Sequence, residues 1–330
     1  MMTATYLIYS DEIRCRLSAL SASIVSVQVK DRDDQWIDVA LSPESFWLGD
    51  TDPSLAGRTI APCCGRVRDG KIVINGKEYQ LALNDGSNHI HGGPHGAAWQ
   101  VWQEEAISES TCRFSLVLPD GLDGYPGNRT LTAEYQVIGN ALHVRYSAVT
   151  DQITWIDMTN HVYWDLSGRF DGTALRQTLE IAADQVAIND ENHLLTTLGP
   201  VTDAFDFSTP SIPAMLISTY PADRQIGIAH GYNHAYALKK KRAYAARLFC
   251  RKSGICMTLY TDQPAIVFYS GGFLDKSTKL KRGFASSGCA VALEAQAIPD
   301  PFHVDGEDPL LLFPDQTYCR EIRWEFNCGQ

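Results

Sequence analysis

Four polar stretches of this chain combine residue types that could move protons or hold a small polar ligand. In AVALEAQAIPD (Ala290–Asp300), Glu294 lies inside an apolar run. Desolvation there disfavours the carboxylate, raises its pKa and makes it a plausible proton acceptor near neutral pH. In TNHVYWDLSG (Thr159–Gly168), His161 sits among aromatic residues. NDGSNHIHGG (Asn84–Gly93) carries His89 and His91 and stops at two glycines, where a backbone can approach a ligand closely. GYNHAYAL (Gly231–Leu238) is the fourth. Taken singly, each has a plainer reading. A lone histidine can be a hydrogen-bonded core residue, and a lone buried glutamate can be an ion-pair partner. No third acidic or sulfur ligand accompanies His89 and His91 at a recognisable spacing, so no metal site is expected. Phosphate loops, GxSxG elbows and Walker patterns are missing from the sequence.

Strands must position these residues, because period-two alternation dominates the chain. In Arg129–Val137, residues Leu131, Ala133, Tyr135 and Val137 share one face and Thr132, Glu134 and Gln136 the other. Gly139-Asn140 then reads as a two-residue hairpin turn into Leu142, Val144, Tyr146 and Ala148. Lys71–Leu81 repeats the pattern around Asn75-Gly76, and Cys256–Tyr260 and Glu321–Phe326 also alternate. Helical signals are few; Ala243–Leu248 could make one or two turns. The pattern predicts an all-β protein of many short antiparallel strands. No composition break or internal repeat divides residues 1–330, which are expected to form a single domain. The basic clusters Lys239–Arg242 and Lys276–Arg282 read as solvated loop or hairpin tips.

Composition narrows the function classes. The 330 residues carry a formal net charge of −11, which repels nucleic-acid phosphates and anionic membranes. Hydrophobic residues make up 45% and charged residues 20%, enough to bury a sizeable core. No apolar run of about 18 residues is present, so no transmembrane helix is expected. The start lacks a basic segment and does not read as a secretory signal. Nine cysteines without CxxC spacing, two of them adjacent at Cys63-Cys64, suit reduced, mostly buried thiols in a cytoplasmic protein.

Taken together and in order, the motifs resemble those of the aldose 1-epimerase (galactose mutarotase) family. NHIHGG is similar to the family's N-x-L-H-G-G, DGYPGN (Asp123–Asn128) to its D/E-G-Y-P-G-N turn, and TNHVYWDLSG to T-N-H-x-Y-F-N-L-x-G. TDAFDF (Thr202–Phe207) resembles T-x-F-D-F, TDQPAIVFYSGGFL (Thr261–Leu274) resembles T-x-x-P-x-x-Q-F-Y-T-G-N-F-L, and LEAQAIPD resembles L-E-x-Q-x-x-P-D. The resemblance runs from the strands before Arg66 to the final strand near Phe326. It implies a large antiparallel β-sandwich of the galactose mutarotase-like supersandwich type, with the sugar in an open cleft on one curved sheet. Carried over position by position, Glu294 stands at the catalytic base and His161 and His91 at the two active-site histidines. Arg66 stands at the sugar-binding arginine, and Asn233 at a hydroxyl-reading aspartate. Three positions depart: Gly65 replaces an asparagine, Asn233 that aspartate, and Val267 a glutamine.

The resemblance implies interconversion of the α and β anomers of a free aldose. Ring opening needs the C1 hydroxyl to lose a proton and the ring oxygen to gain one, with acid and base on either side of the C1–O5 bond. Glu294 is expected to take the O1 proton and His161, as imidazolium, to give one to O5. His91 is expected to hydrogen-bond the ring-oxygen region, Arg66 and Asn233 to hold hydroxyls, and Trp164 to carry a sugar face. No cofactor or metal is needed for these steps. The expected partner is a monosaccharide, with no nucleic acid or membrane, and the protein is expected to be a monomer or loose homodimer. Losing side chains at Gly65 and Val267 removes hydrogen-bonding groups and opens volume or apolar surface. Galactose should therefore be a mediocre substrate and a deoxy, pentose or otherwise modified aldose a better one. A non-catalytic carbohydrate-binding or sensing protein on the same scaffold is the alternative; the presence of both Glu294 and His161 separates the two.

Overall fold

A computed structural model describes residues 4–43, 52–281, 283–300 and 309–329. Two antiparallel sheets dominate. The larger has eight strands in the order Gln103–Ile107, Thr111–Leu118, Arg129–Ile138, Ala141–Thr150, Tyr318–Cys328, Ile255–Thr261, Ala246–Phe249 and Thr178–Ile181. The second has six, in the order Tyr163–Trp164, Val291–Gln296, Ala265–Tyr269, Asn233–Leu238, Ala183–Asn189 and Leu195–Pro200. A four-stranded amino-terminal sheet runs from Thr5 to Asp38.

Alternation explains why the two large sheets pack as a sandwich. Leu131, Ala133, Tyr135 and Val137 are buried while Thr130 and Gln136 are exposed, as a strand with one covered face requires. The hairpin to Ala141 closes at Gly139-Asn140 with Ile138 opposite Ala141. At Asn75-Gly76 both residues adopt positive φ, the turn geometry whose twist matches the flanking strands. Between the sheets lies one large apolar cluster, to which the six-stranded sheet contributes Trp164, Phe268 and Leu293 and the eight-stranded sheet Tyr146, Leu259 and Trp324. The Trp164 ring sits 5.8 Å from Trp324 and 5.6 Å from Phe326. Such contacts add about 0.5–1.5 kcal/mol per pair beyond the area they bury.

The helical reading of Ala243–Leu248 is wrong. Ala246–Phe249 is a strand, with Ala246 and Leu248 buried and Arg247 and Phe249 exposed. A period of two over so few residues is a weak signal beside a run of good helix formers, and pairing with the neighbouring strands decides the outcome. Among the described residues the α-helices are Pro213–Thr219 and Arg224–Ala229, the latter capped by Asp223, whose carboxylate accepts from the Gln225 and Ile226 amides. Cys15, Cys63, Cys64, Cys112, Cys250 and Cys289 are buried and in no disulfide, and Cys319 and Cys328 are exposed. No helix among the described residues is long and apolar enough to cross a membrane.

Candidate active site

One face of the six-stranded sheet turns away from the core and floors a cavity of about 470 Å³. Cross-strand register arranges its side chains in rows. Glu294 pairs with Val267, Val267 with Ala235, and Ala187 joins them in a small apolar cluster. In the neighbouring row Tyr269 pairs with Asn233, whose carbonyl accepts from the Asn189 amide at 3.1 Å. All seven residues line the cavity. The floor therefore has a polar row beside an apolar row that ends on the carboxyl group.

Loops and short strands build the walls. Arg66–Val67 pairs with His89–Ile90, and the His91 amide donates to the Gly65 carbonyl at 3.1 Å, which sets Arg66 and His91 side by side. An alternating strand would put His89 and His91 on one face. The structure separates them because His91 leaves the strand with φ of 51°. His89 turns inward, its Nδ1 2.7 Å from the Ala82 carbonyl and its Nε2 2.7 Å from the Tyr125 hydroxyl. The DGYPGN turn thus anchors NHIHGG. TDAFDF does the same for GYNH: Phe205 packs on His234, Phe207 packs on Tyr232, and the Tyr232 hydroxyl donates to the Ala204 carbonyl.

Arg66, His91, His161, Asn233 and Glu294 all line the one cavity. His161 Nε2 lies 3.7 Å from Glu294 Oε1, and the His91 and His161 rings meet edge to face at 5.4 Å. Arg66 is oriented by Asp85, whose Oδ2 accepts from Nε at 2.7 Å. Trp164 does not belong to this set. It is fully buried on the opposite face of the sheet, against Trp324 and Phe326. Tyr163, one residue earlier, takes the cleft side, with its ring 4.9 Å from that of His161 and its hydroxyl donating to the Ser54 carbonyl at 3.0 Å. Strand alternation is the reason, and it was the available signal: Tyr163 is two residues from His161, whereas Trp164 is three.

A further expectation fails. The glycines of NHIHGG approach protein, not ligand: a side chain at Gly92 would meet the Ala61 carbonyl oxygen at 2.2 Å, and one at Gly93 the Asp123 carboxylate at 2.6 Å. At Gly65 the position of a Cβ lies 3.1 Å from the Pro299 ring, and both residues line the cavity, so apolar surface stands there in place of open volume. Val267 does present apolar surface, as its type implies. The Lys276–Arg282 segment is more than a solvated tip, because Ser277 and Thr278 line the cavity; Arg282 lies outside the described residues. Tyr269, Asp85 and Gln296 also line it. Asp85 and Gln296 stood inside quoted motifs, yet nothing in their spacing marked them.

Hydrogen bonding separates the histidines of the cleft from those of the scaffold. His234, like His89, uses both ring nitrogens: Nδ1 accepts from the Asn233 amide and Nε2 lies 3.1 Å from Gln225 Oε1. By contrast, Nδ1 of His91, Nδ1 of His161 and Oε2 of Glu294 are shielded and have no protein partner. Each such group costs about 1–3 kcal/mol in a folded chain. A fold tolerates that cost where a site is built for a ligand.

Burial also sets the charges. It pushes the Glu294 carboxyl up to about 8 and the His161 imidazole down to about 4. His91 is held well below the ordinary histidine range by burial, with His161 and Arg66 adding repulsion. Near neutrality Glu294 holds the proton and His161 is neutral, so His161 becomes the imidazolium donor only when the proton passes to it from Glu294. The pair still carries one proton between two groups, the inventory that a coupled acid and base require. No cluster of three or more metal-ligating side chains occurs among the described residues.

Comparison with known proteins shows the family and the fold. Residues 6–324 match the family described as aldose 1-epimerase. The chain is 31% identical to the galactose mutarotase of Rattus norvegicus, covering 96% of this chain and 92% of that one. It is 29% identical to the aldose 1-epimerase of Escherichia coli, covering 86% and 83%. Among solved structures, galactose 1-epimerase from Lactobacillus acidophilus superposes with a TM-score of 0.86 at 27% identity, covering 99% and 95%. An aldose epimerase homologue from C. elegans superposes at 0.90 with 24% identity, covering 99% and 100%, a likeness of fold.

Proposed function

This chain belongs to the aldose 1-epimerase family, and we propose that Glu294 and His161 carry the proton transfers of its reaction. The protein is an isomerase that exchanges the anomers of an aldose. The observation that carries the assignment is the 3.7 Å approach of His161 Nε2 to Glu294 Oε1, inside a cleft where Nδ1 of His91, Nδ1 of His161 and Oε2 of Glu294 have no protein partner. Sugar hydroxyls donating to Glu294 favour its carboxylate, so binding drives the shared proton onto His161. Glu294 then takes the O1 proton, C1=O forms as the C1–O5 bond breaks, and His161 Nε2 delivers its proton to O5. Rotation about C1–C2 and the reverse steps close the ring on the other carbonyl face. Arg66, fixed by Asp85, and Asn233 hold hydroxyls, and His91 serves the ring-oxygen side. Tyr163 and Tyr269 replace Trp164 as the aromatic surface for the sugar.

The substrate is a free monosaccharide, and the row Val267, Ala235, Ala187 beside Glu294 favours one that is less hydroxylated than galactose. Polarimetry on freshly dissolved sugars tests the reaction. We expect a higher kcat/KM for fucose, xylose or arabinose than for galactose. A clear preference for galactose overturns the specificity, and no acceleration with any aldose overturns the assignment. The same proposal treats residues 1–330 as one domain, supported by an apolar cluster that draws on residues from Ile8 to Phe326. It places the enzyme in the cytoplasm as a monomer or loose homodimer, free of membrane and nucleic acid. The buried cysteines outside disulfides and the net charge of −11 support that setting.

A further inference from the structure

A third histidine of the cleft has no role in the chemistry above. His193 lines the same cavity, and its Nδ1 is shielded without a protein partner, as in His91 and His161 and unlike in His89 and His234. Neither of its ring nitrogens makes a hydrogen bond to the described residues, and Nε2 is the one that is not shielded. Arg66, Asp85, Asp190, His230 and His234 are among the titratable groups near it. It lines the cavity together with the Arg66–Asp85 pair, for which the proposed function gives the role of holding sugar hydroxyls.

The backbone holds His193 there deliberately. Its φ is 60°, a conformation that side-chain-bearing residues seldom adopt. Asp190 enforces it, taking the His193 amide on its carbonyl and the Asn192 and Leu194 amides on its carboxylate. The ring is fixed in turn by an edge-to-face contact with Phe273 at 5.3 Å. Burial and the nearby Arg66 keep the imidazole neutral, so it can donate to a hydroxyl or accept from one.

We propose that His193 is a specificity-determining residue that hydrogen-bonds one hydroxyl of the sugar at the end of the cleft away from the anomeric carbon. The proposal rests on the epimerase reading but names a contact that the proton transfers do not use. His193→Phe keeps a ring against Phe273 and removes both nitrogens, while His193→Gln restores an amide. With the aldose that the wild type turns over best, His193→Phe should raise KM about fivefold to tenfold, the worth of one neutral hydrogen bond, with kcat within about twofold. Against a series of monodeoxy analogues, it should lose the wild-type penalty for one analogue only, and His193→Gln should recover part of that penalty. An unchanged KM overturns the proposal. So does a KM raised equally for the parent sugar and every analogue, which is the mark of a structural role. If the wild type accelerates no aldose, calorimetric Kd values for the same sugars replace KM. Loss of discrimination in Kd then upholds His193 although the epimerase reading has fallen, and sugar binding that His193→Phe leaves unaltered overturns it.

Discussion

At the scale of single residues, the coupled pair predicts how activity depends on pH. Glu294 and His161 share one proton between about pH 4 and about pH 8. Below that window the pair gains a second proton, and above it the pair loses its only one. A plot of kcat/KM against pH should be bell-shaped with limbs near those values, both belonging to the pair. Glu294→Gln should cut kcat by about 10²–10⁴-fold and abolish the alkaline limb; a limb that survives would assign it elsewhere. The same carboxyl has a consequence for stability. Its folded pKa lies above the unfolded one, so from about pH 4.5 to about pH 8 the unfolded chain ionises while the native chain holds the proton. Stability contributed by Glu294 falls with rising pH across that window. Glu294→Gln removes this loss, so its Tm should exceed that of the wild type at pH 8 and converge with it near pH 4. Thermal melts at the two pH values decide the matter. His161 has the opposite sign: its depressed value contributes stability above about pH 6.5 that is lost as pH falls towards 4.

At the scale of elements, the walls of the cleft depend on backbone that only glycine permits. Gly92 has φ of 79° and lies against the Ala61 carbonyl, immediately after His91. Gly92→Ala would press a methyl group into that carbonyl in an unfavourable conformation. We expect a loss of about 1–3 kcal/mol together with a displaced His91, read as a lower Tm and a higher KM for the sugar. Gly76, also at positive φ but with nothing near its side-chain position, is the control: Gly76→Ala should leave KM unchanged. An equal effect on KM at both sites would show that His91 is not placed by its glycine neighbour. The strands of the floor carry their information differently, through register. A slip of one residue would exchange the row of Glu294 and Val267 for buried Leu293 and Phe268, so the core fixes the cleft.

At the scale of the whole molecule, core and cleft are the two faces of one sheet, and Trp164 tests that division. Trp164→Ala should cost about 3–5 kcal/mol, because it leaves a cavity between the sheets. KM should stay unchanged at temperatures where the variant remains folded, since the ring does not reach the sugar. A raised KM with unaltered stability would return Trp164 to the site. The misplacement of Trp164 shows where sequence reasoning stopped. Period-two alternation in Arg129–Val137 and turn chemistry at Asn75-Gly76 are local properties, so strands, hairpins and the all-β class were legible before any coordinates. Glu294 within its apolar run announced its own desolvation, and the order of the motifs brought His91, His161, Arg66 and Asn233 together as a set. Which of two neighbouring aromatics faces the sugar depends on the sheet that covers the other side, and that sheet comes from residues such as Trp324, far along the chain. Whether Gly65 leaves room depends on Pro299, and whether a histidine is scaffold or ligand-facing depends on partners such as Tyr125 and Gln225. His193 had no sequence signal at all, since a positive φ and a neighbour like Phe273 exist only once distant loops have met. Local chemistry therefore determined the elements and the proton-transfer groups, whereas long-range packing alone decided what fills the space around them.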